Sequence, residues 1–593
     1  MKLEELIAAA RGEVEVDLLI EGADVVNTLS GEVYRSDVAI CEGTVVGFDC
    51  ESAKKVLDFP GMVLAPGFID GHVHLESAMV TVPEYARAVV PRGTTTVVAD
   101  PHEIANVLGA EGIRYILDSS RLSPLSVFVM LPSCVPATHL ETSGACLDAT
   151  ALSEIIDEEG VIGIAEVMNY PGVIFRDPSV LAKMGLAGER RIDGHWPRID
   201  GHCPLLSGRD LAAYVAAGIG SDHECTSLEE AREKLRLGMR IMIREGTAAK
   251  NLDDLLPLVN EVNSRRFLFV SDDRHPSDIL REGHIDSMVK RAVGAGLDPI
   301  VAIQIASLNA AEYFGLRDLG AIAPGRRADI VVLDDLDNLG VQRVLKDGAN
   351  VAEGGRLLTP IEEAPRPRSS SMNVGRIGPG SFDIKADGNL VRAIGVIPNQ
   401  IITRSLLTRP KVEGGKVVAD LDRDLLEMAV VERHNGTGNV GLGLVNGFGL
   451  ARGAIATSVA HDSHNIAAVG TNPAEIYRAV SEVRNMGGGL VVVDGGEVEA
   501  SLPLPIAGLL SDRSMDEVAE LIEEVVGAAR ALGSSLEDPF MTLSFLCLPV
   551  IPELKLTDRG LVDVNRFDFV SLFVGEDEED GARLMARGSG PGR

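Results

Sequence analysis

Six residues at the ends of apolar runs carry the chemistry that this sequence could perform. His72 and His74 close FPGMVLAPGFIDGHVH, Glu166 follows VIGIA, His202 ends RIDGH, His223 sits in GIGSDHE, and Asp272 follows FLFVS. Alternation along an extended strand points positions 72 and 74 to one face, so their imidazoles can converge on a single ion. The HxH pair alone is unspecific, but five apolar runs ending in such residues are hard to explain as packing. Four neutral imidazoles and two carboxylates at one mouth would leave buried polar groups unsatisfied. Two divalent cations would satisfy them, and a water shared by two cations has a lowered pKa, which makes a nucleophile available near neutral pH.

These residues need a frame that brings strand ends together. Eight apolar runs of strand length, VLAPGFIDGHVH, TTTVVAD, SVFVMLP, VIGIAEVM, RIDGHCP, GIGSDHE, RIMIREGT and FLFVSDD, recur with helical stretches between them over roughly 210 residues. This alternation predicts an α/β fold built on a TIM-like (β/α)8 barrel, in which catalytic groups collect at the C-terminal strand ends. Before it, a short helix over residues 3 to 10 leads into VDLLIEG, DVVNTLSGEV, SDVAICEG and TVVGFD, a small antiparallel β unit punctuated by glycine. A second such unit, LGAIAPGRRADIVVLDDLDNLGVQRVLKDGANV, follows the barrel, and the two together could complete one β-sandwich. The Pro- and Ser-rich EEAPRPRSSSMN reads as a linker to a further α/β domain, and EDEEDGARLMARGSGPGR as a frayed acidic tail. The expected division is thus 1–61 and 319–361 for the sandwich, 62–318 for the barrel, 362–374 for the linker and 375–593 for the C-terminal domain with its tail.

Composition narrows the partners. A net charge of -33 disfavours nucleic acid, whose recognition needs clustered Lys and Arg, and favours a small neutral ligand. Cysteines 41, 50, 134, 146, 203, 225 and 547 form no CxxC pair, which points to a reducing compartment, simply the cytoplasm, with the thiols as small buried hydrophobes. Acids interrupt the apolar N-terminal stretch, and no run is long enough to span a membrane.

FPGMVLAPGFIDGHVH with β units before and after the barrel, and the later PGRRADIVVLD, resemble the amidohydrolase superfamily. Within it, HVHLESAMVTVPEYARAVVPRGTTTVVADPHEIANVLG, GIAEVMNYPGV, DGHCPLLSGRDLAAY, VSDDRHPSDIL and GLGLVNGFGLARGAIATSVAHDSHNIAAVGTN together resemble the bacterial and archaeal adenine deaminases over nearly the whole chain. The resemblance implies a binuclear metal-bound hydroxide that deaminates adenine to hypoxanthine and ammonia, a purine-salvage reaction without organic cofactor. It also implies a homo-oligomer, a dimer. His72 and His74 would hold the first metal, His202 and His223 the second, and Asp272 would contact the bridging hydroxide and move protons. Many binuclear relatives carry a carboxylated lysine after the fourth strand. This chain has Glu166, whose two oxygens can bridge two cations. An oxygen-rich site suits Mn(II) or Fe(II) better than Zn(II). Related barrels hydrolyse cyclic amides or N-acyl compounds, and some have lost their ligands and serve as scaffolds; all six positions are present here.

RIDGHWP is immediately repeated as RIDGHCP, a seven-residue tandem repeat. His202 is taken as the ligand because CPLLSGRDLAAY runs on from it as in the family, with His195 as the alternative. Glu103 is the candidate acid for the ring nitrogen; the competing reading makes the segment a helix start capped through Asp100. His139, His275 and His284 read as loop or helix histidines, and Asp273 as a hydrogen-bonding loop residue. His461 and His464 read either as structural or as the reach of the second domain into the site.

Overall fold

The computed structural model describes residues 2–48, 50, 52–189, 198–398 and 400–575. His195 and the acidic end 576–593 lie outside them.

All eight runs form barrel strands: β1 (Phe68–Val73), β2 (Thr94–Ala99), β3 (Ser126–Leu131), β4 (Val161–Val167), β5 (Arg198–Gly201), β6 (Ser221–Asp222), β7 (Arg240–Arg244) and β8 (Phe267–Val270). Strands β1 to β5 pair in parallel in sequence order, as do β6 to β8. The Gly220 amide donates to Ile199 O at 3.0 Å between the two arcs. A parallel bridge between Val73 and Asp272 closes the ring. Strands this short and β-branched are buried on both faces because helices such as Ala110–Ser120, Gly208–Ala216 and Ile285–Gly294 cover the outside.

Strands from both sides of the barrel in sequence share one flanking sheet. Its seven strands run in the order 356–357, 349–353, 341–346, 330–333, 63–66, 24–27, 32–35, facing a four-stranded sheet of 44–47, 38–41, 18–21 and 56–58. Leu18, Ile20, Val25, Val45, Leu64, Ile330 and Val332 fill the space between them. Two details depart from the sequence reading. Val63–Pro66, expected as the start of the first barrel strand, pairs antiparallel with Ile330–Leu333 in the sandwich. The chain passes between the two layers at Gly67, where a Cβ would lie 2.2 Å from Thr95 Oγ1. The N-terminal unit is also mixed rather than antiparallel: 18–21 runs parallel to 56–58 and 24–27 parallel to 63–66, because other strands intervene between the members of each pair.

Residues 358–378 carry no helix or strand, yet they are tied down. The guanidinium of fully buried Arg433 donates to the carbonyls of Ser371 and His464, and to that of Ala507 at 3.0 Å. Beyond them an eight-stranded sheet, centred on Leu425–Val431 and Ile466–Gly470, packs helices Pro473–Asn485 and Met515–Ala531. This domain sits on the barrel through Thr557 Oγ1, which donates to Leu140 O at 2.7 Å, and Asn465 Nδ2, which donates to Thr142 O at 2.8 Å. Among the described residues no helix is long and apolar enough to cross a membrane.

Candidate active site

The strand ends are locked before any side chain points into the mouth. Asp70 Oδ1 accepts from the amides of His72 (3.2 Å) and Ser271 (3.1 Å), coupling β1 to β8. Tyr214 accepts from the His202 amide at 3.0 Å and donates to Val167 O at 2.9 Å, coupling β4 to β5. Asp222 accepts from the Cys203 amide at 2.9 Å, and the buried Lys234 ammonium donates to Asp222 (2.9 Å), Cys203 O (2.8 Å) and Glu230 (2.7 Å), so β5 and β6 end at one fixed spacing. Asp272 adopts a left-handed backbone (φ 56°), which an aspartate tolerates. Its amide donates to His72 O at 3.0 Å.

All six expected ligands converge. His72 Nε2 and His74 Nε2 are 3.2 Å apart, and Asp272 Oδ1 lies 3.5 and 3.2 Å from them. Glu166 spans the mouth, with Oε1 3.6 Å from His74 and Oε2 2.7 Å from His202 Nδ1 and 3.2 Å from His223 Nε2. His74 Nδ1 faces Asp100 O at 3.0 Å, a contact that fixes the ring and leaves Nε2 for a cation. Glu166 groups with His202 and His223, the pair expected at the second metal, whereas His72 groups with His223 and Asp272, and His74 with Asp100, His102 and Glu166.

Several members were not singled out from sequence as ligands. Arg244, at the end of RIMIR, donates to both oxygens of Glu224 and at 3.0 Å to Asp272 Oδ2; a charge ending an apolar strand was the available signal. Glu224 Oε1 stands 3.6 Å from both His202 and His223. The cap reading of Asp100 fails. The helix His102–Leu108 starts without a side-chain cap, and neither Asp100 oxygen has a hydrogen-bond partner among the described residues. Glu103 instead meets the C-terminal domain, with His461 Nδ1 at 3.2 Å and His464 Nε2 at 3.8 Å, so AHDSHN does reach the site. His284 is held by Tyr85 (2.9 Å), Thr94 (2.8 Å) and Asp70 (3.1 Å) away from the mouth, His275 lies 3.7 Å from Asp538, and His139 packs on Phe567. Asp273 accepts from Ser77 at 2.5 Å. Four cysteines are buried, Cys41 and Cys50 are half-buried, and Cys146 is exposed, against the expectation for all seven.

The electrostatics favour cations. Glu166, Glu224, Asp272, Asp100, Glu103 and Asp462 are all buried here, with Arg244 the guanidinium among them. Burial pushes Glu166 up, but His202 and His223 outweigh it and hold the carboxyl well below its usual range. Burial likewise opposes protonation of His223, yet Glu166 beside it lifts the imidazole to about 9; His102 rises to about 10 against burial, chiefly through Asp100. Orphaned polar atoms at Asp100, His102 Nδ1 and His223 Nδ1, together with a donor set of imidazoles and carboxylates, fit divalent ions.

A barrel whose mouth gathers such donors defines the amidohydrolase class, and the model of the Amidohydrolase family matches residues 63–355. A second family, the Adenine deaminase C-terminal domain, matches residues 400–568. The adenine deaminase of Methanothrix thermoacetophila is 55% identical over 577 residues, covering 97% of this chain and 100% of that protein. That of Desulfatibacillum aliphaticivorans is 53% identical, covering 96% of this chain and 99% of its own. The chain belongs to the adenine deaminase family.

Lys234→Met should leave the buried Asp222 without its cationic partner and lower stability by about 3–5 kcal/mol, the usual result of breaking a buried pair from one side. Thermal unfolding of the purified variant measures this, and an unchanged midpoint would remove the Lys234 clamp from the account.

Proposed function

We propose that this protein hydrolyses adenine to hypoxanthine and ammonia, using two divalent cations, Mn(II) or Fe(II) before Zn(II). The observation that carries the reading is the set of buried carboxylates and imidazoles at the barrel mouth, in a chain aligned end to end with relatives named adenine deaminases. His72, His74, His202, His223, Glu166 and Asp272 are the proposed ligands, with Asp100 and His102 adjoining them. When bound, the cations supply Lewis acidity, which lowers the pKa of water and neutralises charge.

The chain's own residues handle the protons. Asp272 takes one from the water that adds to C6 and passes it to the departing amine, a task for a carboxylate placed between donors rather than on a flexible loop. The ring nitrogen takes its proton from the Glu103–His461 pair, which is recharged by the second proton of the added water as C6–OH becomes the carbonyl of hypoxanthine. Burial would raise Glu103, but His461 and His464 more than offset it and hold the carboxyl ionised. The proton therefore rests on His461, lifted against burial to about 9 by Glu103, and reaches the ring through the carboxylate. This refines the role expected for Glu103: it relays a proton stored on a residue from the other domain.

Ammonia release from adenine, compared with ring opening of a dihydropyrimidine, tests the activity. Ring opening of the dihydropyrimidine with no ammonia from adenine would replace the reading with cyclic-amide hydrolysis. Asp272→Asn should cut turnover by several orders of magnitude, whereas Glu103→Gln should keep both metals and lose roughly a hundredfold to ten-thousandfold, the range for one positioned acid. Near-normal turnover by the Glu103 variant would refute the relay.

Glu166→Gln should lower metal content and activity together, because an amide bridges cations poorly. His202→Ala should lose metal that His195→Ala retains; the reverse pattern would shift the fifth strand's register by the length of the repeat.

A further inference from the structure

The cavity over the strand ends is lined by both domains. The barrel contributes most of the imidazoles and carboxylates and Arg244. The C-terminal domain contributes His461 and Asp462 and, beside them, a hydrocarbon surface: Phe545, Leu548, Val550 and Ile551 from one segment and Ile401 from another. Proton transfer and cation binding give these five side chains nothing to do. Small-molecule pockets typically pair such an apolar surface with a few polar groups that fix orientation.

Phe545 is the best placed of them. It ends the helix Pro539–Phe545, and its ring stacks on His461 with centroids 4.9 Å apart and planes at 23°. Because His461 Nδ1 is itself 3.2 Å from Glu103, the aromatic face has a fixed position relative to the proton relay. The two segments of the wall are far apart in sequence, and one side chain joins them. Lys555, in the strand Leu554–Thr557 and fully buried, donates from Nζ to Ile401 O and to Phe545 O, each at 2.9 Å. Burying an ammonium costs free energy unless its hydrogen bonds are made. Here those bonds fix the backbone on both sides of the cavity wall.

We propose that the C-terminal domain supplies the face on which the substrate ring stacks, with Phe545 as the platform and Lys555 as a positioning residue that holds it and Ile401 in register. The ligand class is a planar nitrogen heterocycle lying on hydrocarbon with its polar edge toward the barrel. The proposal rests on the deaminase reading and adds the part of the site that binds rather than reacts.

The test measures hypoxanthine binding to the metal-loaded protein by calorimetry, beside adenine kinetics, for Phe545→Leu and Lys555→Met. Phe545→Leu keeps apolar bulk against His461 but removes the π face. Hypoxanthine affinity should fall and adenine KM rise roughly tenfold to a hundredfold, as for loss of one base–aromatic stack, with kcat and metal content unchanged. Lys555→Met should shift KM and binding in the same direction; a loss of kcat alone would make it merely structural. Wild-type binding and KM in Phe545→Leu would overturn the proposal, and that variant decides the matter if Lys555→Met does not fold. Wild-type protein that binds hypoxanthine but releases no ammonia from adenine would instead sink the activity and leave the stacking face standing.

Discussion

Uncompensated negative charge at the barrel mouth is the constraint on which the rest of the site depends. Buried carboxylates repel one another strongly in a medium less polar than water, and among the described residues Arg244 pairs directly only with Glu224 and Asp272, leaving Glu166 to the imidazoles of His202 and His223. Burial alone would lower His74, but Asp272, Asp273 and Glu166 raise it well above its ordinary value, so the mouth favours positive charge. A fold that accepts this cost must be rigid around it. The clamps at Asp70, Tyr214 and Lys234 meet that need by fixing pairs of strand ends through backbone groups rather than through the ligands themselves.

The same constraint explains why the domains meet where they do. Glu103 lies on the barrel side, yet the groups that keep it ionised, His461 and His464, belong to the C-terminal domain. Arg433 binds His464 O from behind and the connecting segment at Ser371 O, so the placement of the imidazoles is coupled to the docking of the whole domain. Proton handling, cavity closure and domain contact are thus one structural problem.

Much of this was legible in the sequence, for a physical reason. A strand buried on both faces is a short apolar run, and the last polar residues that close it mark the barrel mouth. His72, Glu166, His223 and Asp272 could therefore be picked out by position, whereas His202 also needed the family resemblance to choose between the two copies of the repeat. The reading failed where chemistry depends on contacts between distant segments. Nothing local distinguishes the Asp100 carboxylate from a helix cap, and nothing before residue 460 announces that Glu103 will face His461. The division of Val63–Pro66 from the barrel strand escaped notice because sandwich and barrel strands share the same apolar signature, and only the close approach of Thr95 to Gly67 separates them. The pairing of Arg244 with Glu224 was visible only as a charge at each strand end.

That cations at this mouth enable deamination is checked by adding Mn(II) to the metal-free protein while following ammonia release from adenine. Release should be absent without metal and rise to saturation at two equivalents per chain. Full activity in the metal-free protein, or saturation without any release from adenine, would contradict it.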